Sequence, residues 1–156
     1  MLKKSRKSTA KASGESFAIV ASKYNRKYVD GMLKAAKAEL NAAGAASIKV
    51  VRVPGAFEIP AVAAALAESD STDYGAIICL GVVLQGETTH ADHISQAVTH
   101  ALADIQVFSS KPVIHEVLQF STEEQAKVRC LSRDHNRGAE AAQTAVEMAG
   151  VMRRLG

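Results

Sequence analysis

Hydrophobic and polar positions along the chain change period repeatedly. Phe17-Ala18-Ile19-Val20-Ala21 and Ile48-Lys49-Val50-Val51-Arg52-Val53 are short apolar or β-branched runs. Residues 75–83 are almost free of polar side chains, and Val113 to Leu118 form a fourth such run. Runs of this length and composition predict strands. Between them the period becomes helical. Val29, Met32, Leu33, Ala36 and Leu40 share one face of a helix over 27–43, which Gly44 ends. A second helix is expected over 58–68, with Pro60 tolerated in its first turn. A third spans 89–107, with Ile94, Val98, Ala101, Leu102 and Ile105 on one side. Thr89 and Asp92 have the spacing of a capping box at its start. Ser121 or Thr122 caps a helix containing Glu123, Glu124 and Arg129, and a final amphipathic helix covers 139–154.

The predicted order is β-α-β-α-β-α-β-α-α. Strands separated by helices imply a parallel sheet with right-handed crossovers. Four strands with helices on both faces make an α/β protein, a three-layer α/β/α sandwich of flavodoxin-like type. In such sheets ligands bind beyond the carboxyl ends of the strands. Those ends fall at Ser22–Asn25, Pro54–Glu58, Val82–His90 and Leu118–Thr122.

Composition alters this picture little. A chain of 156 residues, 47% hydrophobic and 22% charged, suits one domain over 16–156 with a real core. No apolar run approaches the length of a membrane span, so no membrane partner is expected. The net charge of +3 is misleading. Lys3, Lys4, Arg6, Lys7 and Lys11 crowd the first twelve residues, and the remainder is net acidic. A basic arm over 1–15, expected to be disordered, is a poor argument for a nucleic-acid partner. It lacks the apolar centre of a secretory signal, although a transit segment also fits. Cys79 in an apolar strand and Cys130 in a helix predict reduced thiols and a cytoplasmic setting.

The chemistry-bearing residues concentrate where the third strand empties into the third helix. Gly86-Glu87-Thr88-Thr89 can offer backbone N–H groups and hydroxyls to an anion. It lacks the lysine of a Walker loop and the glycine pattern of a dinucleotide fingerprint, so a small phosphate-bearing substrate fits better than a nucleotide. His90, just past that turn, is the leading proton-transfer candidate, because imidazole changes charge near neutral pH. His93 lies one turn on, and the pair could ligate a metal, but the pattern is not His-Glu-x-x-His and no third histidine is near. His100 and His135 read as surface residues. Arg129 could add a bidentate phosphate contact. Tyr24 and Phe57 are aromatics at two other strand ends, where a flat ring could stack. Pro54-Gly55-Ala56 could offer bare backbone to a heterocycle edge. No activated nucleophile is evident, which points to an enzyme that positions reactive substrates and moves protons.

Val53-Pro54-Gly55-Ala56-Phe57-Glu58-Ile59-Pro60 and Gly81-Val82-Val83-Leu84-Gln85-Gly86-Glu87-Thr88-Thr89-His90 closely resemble the two signature stretches of the 6,7-dimethyl-8-ribityllumazine synthase family. The resemblance covers roughly 16–155. It implies condensation of 5-amino-6-(D-ribitylamino)uracil with 3,4-dihydroxy-2-butanone 4-phosphate. The products are the lumazine, phosphate and water, in the penultimate step of riboflavin biosynthesis, with no cofactor and no metal. It implies that Tyr24 stacks on the pyrimidine, that Ala56, Phe57 and Glu58 hold the uracil and ribityl chain, and that Val82, Val83 and Leu84 line the heterocycle. Glu87, Thr88 and Arg129 take the phosphate role, His90 the proton-transfer role, and Arg137 a supporting charge where many relatives have lysine.

There are departures from the family pattern. Tyr24 replaces the commoner Phe. Gln85 stands where Arg is frequent, altering charge near the phosphate turn. His115 stands where a Phe from a neighbouring subunit often closes the pocket. The resemblance also implies a homo-oligomer with sites between adjacent subunits of a pentamer, in some members packed into an icosahedral 60-mer shell. The segment from Cys130 to Asn136 has no glycine, which favours a free pentamer. A non-catalytic flavin-binding module or a shell-forming protein of the same fold are the rival readings.

Overall fold

The computed structural model describes residues 2–4 and 9–156. Its elements are β1 (Ser16–Ser22), α1 (Arg26–Ala42), β2 (Ser47–Val53), a 3-10 turn (Ala56–Glu58) leading into α2 (Ile59–Ala67), β3 (Tyr74–Leu84), α3 (His90–Ser109), β4 (Val113–Phe120), α4 (Glu123–Cys130) and α5 (Arg137–Leu155). The four strands form one parallel sheet in the order β2-β1-β3-β4. The expected three-layer α/β architecture is therefore the observed one.

The apolar runs dictate which strands are inside. β1 is buried from Phe17 to Ser22, and β3 from Ala76 to Val82. These two sit at the centre of the sheet, where both faces are covered. One face packs Phe17, Ile19, Ile78 and Leu80 against Val29, Met32, Ala36 and Leu40 of α1, Cys130 of α4, and the alanines of α5. The other packs Ala18, Val20, Ile77 and Cys79 against Ile59 and Ala63 of α2 and Val98 and Leu102 of α3. Right-handed crossovers account for this split: the chain moves one way across the sheet from β1 to β2, and the other way from β2 to β3 and on to β4.

Several boundaries differ from the sequence reading. β4 runs on to Phe120 because Gln119 and Phe120 pair with Val83 and Leu84. α5 begins at Arg137 because the Asn136 side chain accepts from the N–H groups of Gly138 and Ala139. The capping box at α3 does not form. Thr89 makes no side-chain cap, and the Asp92 carboxylate instead accepts from Gln119 Nε2 at 2.6 Å. At α4, Thr122 does cap, its Oγ1 accepting from Gln125 N. The expected disordered arm falls partly outside the described residues, at Met1 and 5–8. Nearer the body, Ala12 is buried and its N–H donates to Ala43 O, while Arg153 pairs with Glu15.

Candidate active site

Order β2-β1-β3-β4 reverses direction between β1 and β3, and a crevice at such a reversal is where open α/β sheets bind ligands. A cavity of about 940 Å³ opens there. Three local devices shape it. Beyond β1, the N–H groups of Lys23 and Tyr24 donate to the carbonyls of Val53 and Pro54, zipping the exits of β1 and β2 together. Asn25 sits in the left-handed region (φ 55°), a conformation asparagine tolerates. That turn aims its Nδ2 at Val82 O, 2.7 Å away across the reversal point. Beyond β3, Gln85 N donates to Phe120 O, so the strand pairing holds to the edge of the glycine turn.

The walls come from four separated stretches. Tyr24 and Asn25 follow β1, Gly55 to Glu58 follow β2, Val82, Val83 and Leu84 end β3, and Gly86, Thr88, His90 and His93 belong to the turn and first helical residues beyond it. Most of the sequence-predicted residues are thus gathered in one place. Tyr24 is 73% exposed and Phe57 63% exposed, so two aromatics stand at the mouth without cover from their own chain. Thr88 Oγ1 accepts from His90 N at 3.3 Å, linking the glycine turn to the start of α3. Asn25, which falls within an expected strand end, and Ala91, Ile94 and Ala97, which do not, also line the cavity. The three α3 residues carry no chemistry to mark them, and Asn25 is set only by its backbone conformation. His93, which the sequence offers only as a metal partner for His90, lines the cavity as well.

Glu87, Arg129, Arg137 and His115 are not among the cavity's lining residues. The last three flank β4 on two sides: Arg137 and Arg129 are on the side of Glu116, and His115 is on the side of α3. Arg137 grips Glu116 with two hydrogen bonds of 3.1 Å and pairs with Glu140 at 3.4 Å. Glu116 is buried to 6% exposure. Burial pushes its carboxyl up to about 7, further than the charges of Arg137 and, more distantly, Arg129 pull it down. His115 Nε2 meets Thr99 Oγ1 at 2.7 Å and its Nδ1 accepts from Val117 N; burial lowers its pKa. Glu87 and Gln85 are exposed beside the glycine turn, with Gln85 Oε1 accepting from Ser121 Oγ at 3.2 Å. His100 is exposed and His135 half-buried, the latter with Nδ1 3.0 Å from Lys3 O. No group of three or more His, Cys, Asp or Glu with metal-site geometry occurs among the described residues. Both cysteines are free and buried, and burial raises each thiol to about 12, leaving neither a ready nucleophile.

A doubly wound α/β domain with an open cavity at its reversal point, walled by aromatics and backbone on one side and by a glycine turn with a histidine on the other, has the form of a small-molecule-binding protein. Residues 14–153 match the model of one family, 6,7-dimethyl-8-ribityllumazine synthase, and the chain belongs to it. It is 40% identical over 147 residues to the 6,7-dimethyl-8-ribityllumazine synthase of Desulfotalea psychrophila, covering 93% of this chain and 94% of that one. The protein of the same name from Desulfosudis oleivorans is 40% identical over 90% of both chains. That of Xanthomonas oryzae pv. oryzae is 37% identical over 89% of this chain and 90% of its own.

Proposed function

We propose that this chain condenses 5-amino-6-(D-ribitylamino)uracil with 3,4-dihydroxy-2-butanone 4-phosphate to 6,7-dimethyl-8-ribityllumazine, with release of phosphate and water. One observation carries the reading: Tyr24, Ala56 to Glu58, Val82 to Leu84, and Thr88 with His90 come from four separate stretches of the chain, and they line a single cavity. In this scheme the uracil stacks on Tyr24 and lies against Ala56, Phe57 and the end of β3. Glu58 and the neighbouring backbone hold the ribityl chain. The substrate's own amine attacks the ketone carbon and gives an imine with loss of water. His90 assists proton removal as the phosphate leaves, held by Glu87, Thr88 and Arg129, and the ribityl-bearing nitrogen then closes the ring on the carbonyl that this elimination forms, expelling a second water. Holding two intrinsically reactive molecules in register supplies much of the rate.

Arg129, Arg137 and His115 lie apart from the cavity of their own chain, and Tyr24 and Phe57 stand uncovered at its mouth. Both facts support a homo-oligomer in which one copy's β4 side completes the next copy's cavity. We take the assembly to be a free pentamer, working in the cytoplasm without cofactor or metal. The absence of glycine from Cys130 to Asn136 favours this over a 60-mer shell, and light scattering on the purified protein distinguishes the two. The catalytic domain is residues 16–156, and the basic residues before it are dispensable for turnover.

The test is a fluorescence assay for the lumazine with both substrates present. Product formation is expected, and its absence, with tight flavin binding instead, would overturn the reading in favour of a binding module. His90→Ala should lower kcat about 10²-fold at saturating substrates. Full turnover by that variant would remove His90 from the mechanism.

A further inference from the structure

The glycine turn is short of positive charge. Its flank at Gln85 is neutral, its own charged residue is Glu87, and no lysine or arginine is among the residues lining the cavity. The two groups of the lining that can become cationic are His90 and His93. They differ in what they touch. His90 is joined to the turn through its backbone N–H, which donates to Thr88 Oγ1. His93 reaches back along α3 with its ring: Nε2 lies 3.3 Å from Thr89 Oγ1, and Thr89 O accepts from His93 N at 3.2 Å. One imidazole is therefore fastened to the last residue of the turn, at the positive end of a 20-residue helix.

We propose that His93 is the pH-sensitive part of the phosphate site: protonated, it adds charge to the Gly86–Thr89 turn and tightens binding of the phosphate-bearing substrate. The proposal rests on the lumazine synthase reading of the same cavity, and goes beyond it by giving a role to a histidine that the reaction scheme does not use. Anions at a helix N-terminus gain from the backbone dipole, and a cation fastened there adds to that attraction. Arg129, if supplied by a neighbouring copy, contributes a charge that does not change with pH. His93 contributes one that does.

The surroundings of His93 leave it free to act in this way. Glu58 comes from the 3-10 turn, which packs on α3, and α2 presents no titratable side chain between Ile59 and Ala67. Glu87 lies in the turn itself and Tyr24 on the opposite wall. On α3, Asp92 is engaged by Gln119 of β4. His115 of β4 is engaged by Thr99. His90 is the one other imidazole of the cavity lining, and its variants provide the contrast.

The experiment measures KM for the phosphate substrate and kcat between mildly acidic and mildly alkaline pH, in the wild type, His93→Gln and His93→Lys. Measured against His93→Gln, which shares every other pH effect, wild-type KM should rise as pH rises and His93 loses its proton. His93→Gln should raise KM about 2- to 5-fold at the acidic end, the range of one charge at a helix terminus, and flatten its pH dependence, with the effect falling on KM rather than kcat. His93→Lys should keep KM low across the range. A KM that varies with pH in His93→Gln just as it does in the wild type overturns the proposal, as does a variant that loses kcat with KM unchanged. Inorganic sulfate, whose charge is constant over this range, separates this idea from the reaction assignment. Titrated calorimetrically into the assembled protein, it should bind more tightly at acidic pH to the wild type but not to His93→Gln, even if no lumazine is formed. Equal sulfate binding by both proteins at every pH also refutes it.

Discussion

Glu116 is the residue where burial and charge compete most openly. Its carboxylate is fully engaged by the Arg137 fork, yet burial dominates and raises its pKa from 4.5 to about 7. The unfolded chain therefore gives up this proton first. Between pH 4.5 and about 7 the folded state holds one more proton than the unfolded state, so stability falls as pH rises through that window and levels off above it. Glu116→Gln should remove this part of the slope in denaturant titrations across the window. A slope identical to wild type would mean that Arg137 holds the carboxyl near its ordinary value. The same pair explains why Arg137 was legible only as a charge: its partner lies on β4, twenty-one residues away, and no local pattern links them.

Elements were read from the sequence more securely than their ends. The two central strands are nearly all apolar, and the helices between them keep a clear period, so element type and order followed directly. Ends depend on partners distant in sequence. Asp92 was expected to cap α3, but Gln119, in the strand beside it, takes the carboxylate. The closest approach between elements was also invisible. A Cβ on Gly138 would lie 2.0 Å from Met32 O, and one on Gly31 would lie 2.4 Å from Cys130 O. α5 therefore starts in direct contact with the backbone of α1, and Asn136 fastens the junction by donating to Cys130 O at 2.8 Å. Backbone cannot step aside as a flexible side chain can. Gly138→Ala should thus cost about 2 kcal/mol or more, in the upper part of the range for overpacking, measured by chemical denaturation. A variant as stable as wild type would mean that α5 can shift outward freely.

At the scale of the whole molecule, the residues to which the resemblance gives roles fall into two groups, only one of which lines the cavity of its own chain. His90, Thr88, Tyr24 and Phe57 stand around the cavity, while Arg129, Arg137 and His115 gather around β4. The first group was legible because its members sit at strand ends, where any parallel α/β sheet exposes its ligand site. In the second, Arg129 was marked by its chemistry and Arg137 and His115 only by resemblance, and nothing in their spacing says that they serve a cavity other than their own. This division makes a sharp prediction. Alone, His90→Ala should lose turnover and Arg129→Ala should bind the phosphate substrate weakly. If each site of a ring takes His90 from one copy and Arg129 from the next, unfolding and reassembling the two variants together in equal amounts creates some sites with neither defect. With random placement, a site needs an intact His90 on one side and an intact Arg129 on the other, which gives about one quarter of wild-type sites. If both residues served the same chain's cavity, every site in the mixed ring would carry one defect and none would recover. Activity of the mixture, assayed at a phosphate-substrate concentration where both parent variants are nearly inactive, separates the two arrangements. Recovery near one quarter supports completion of the cavity by a neighbour, and activity no higher than the mean of the two parents excludes it.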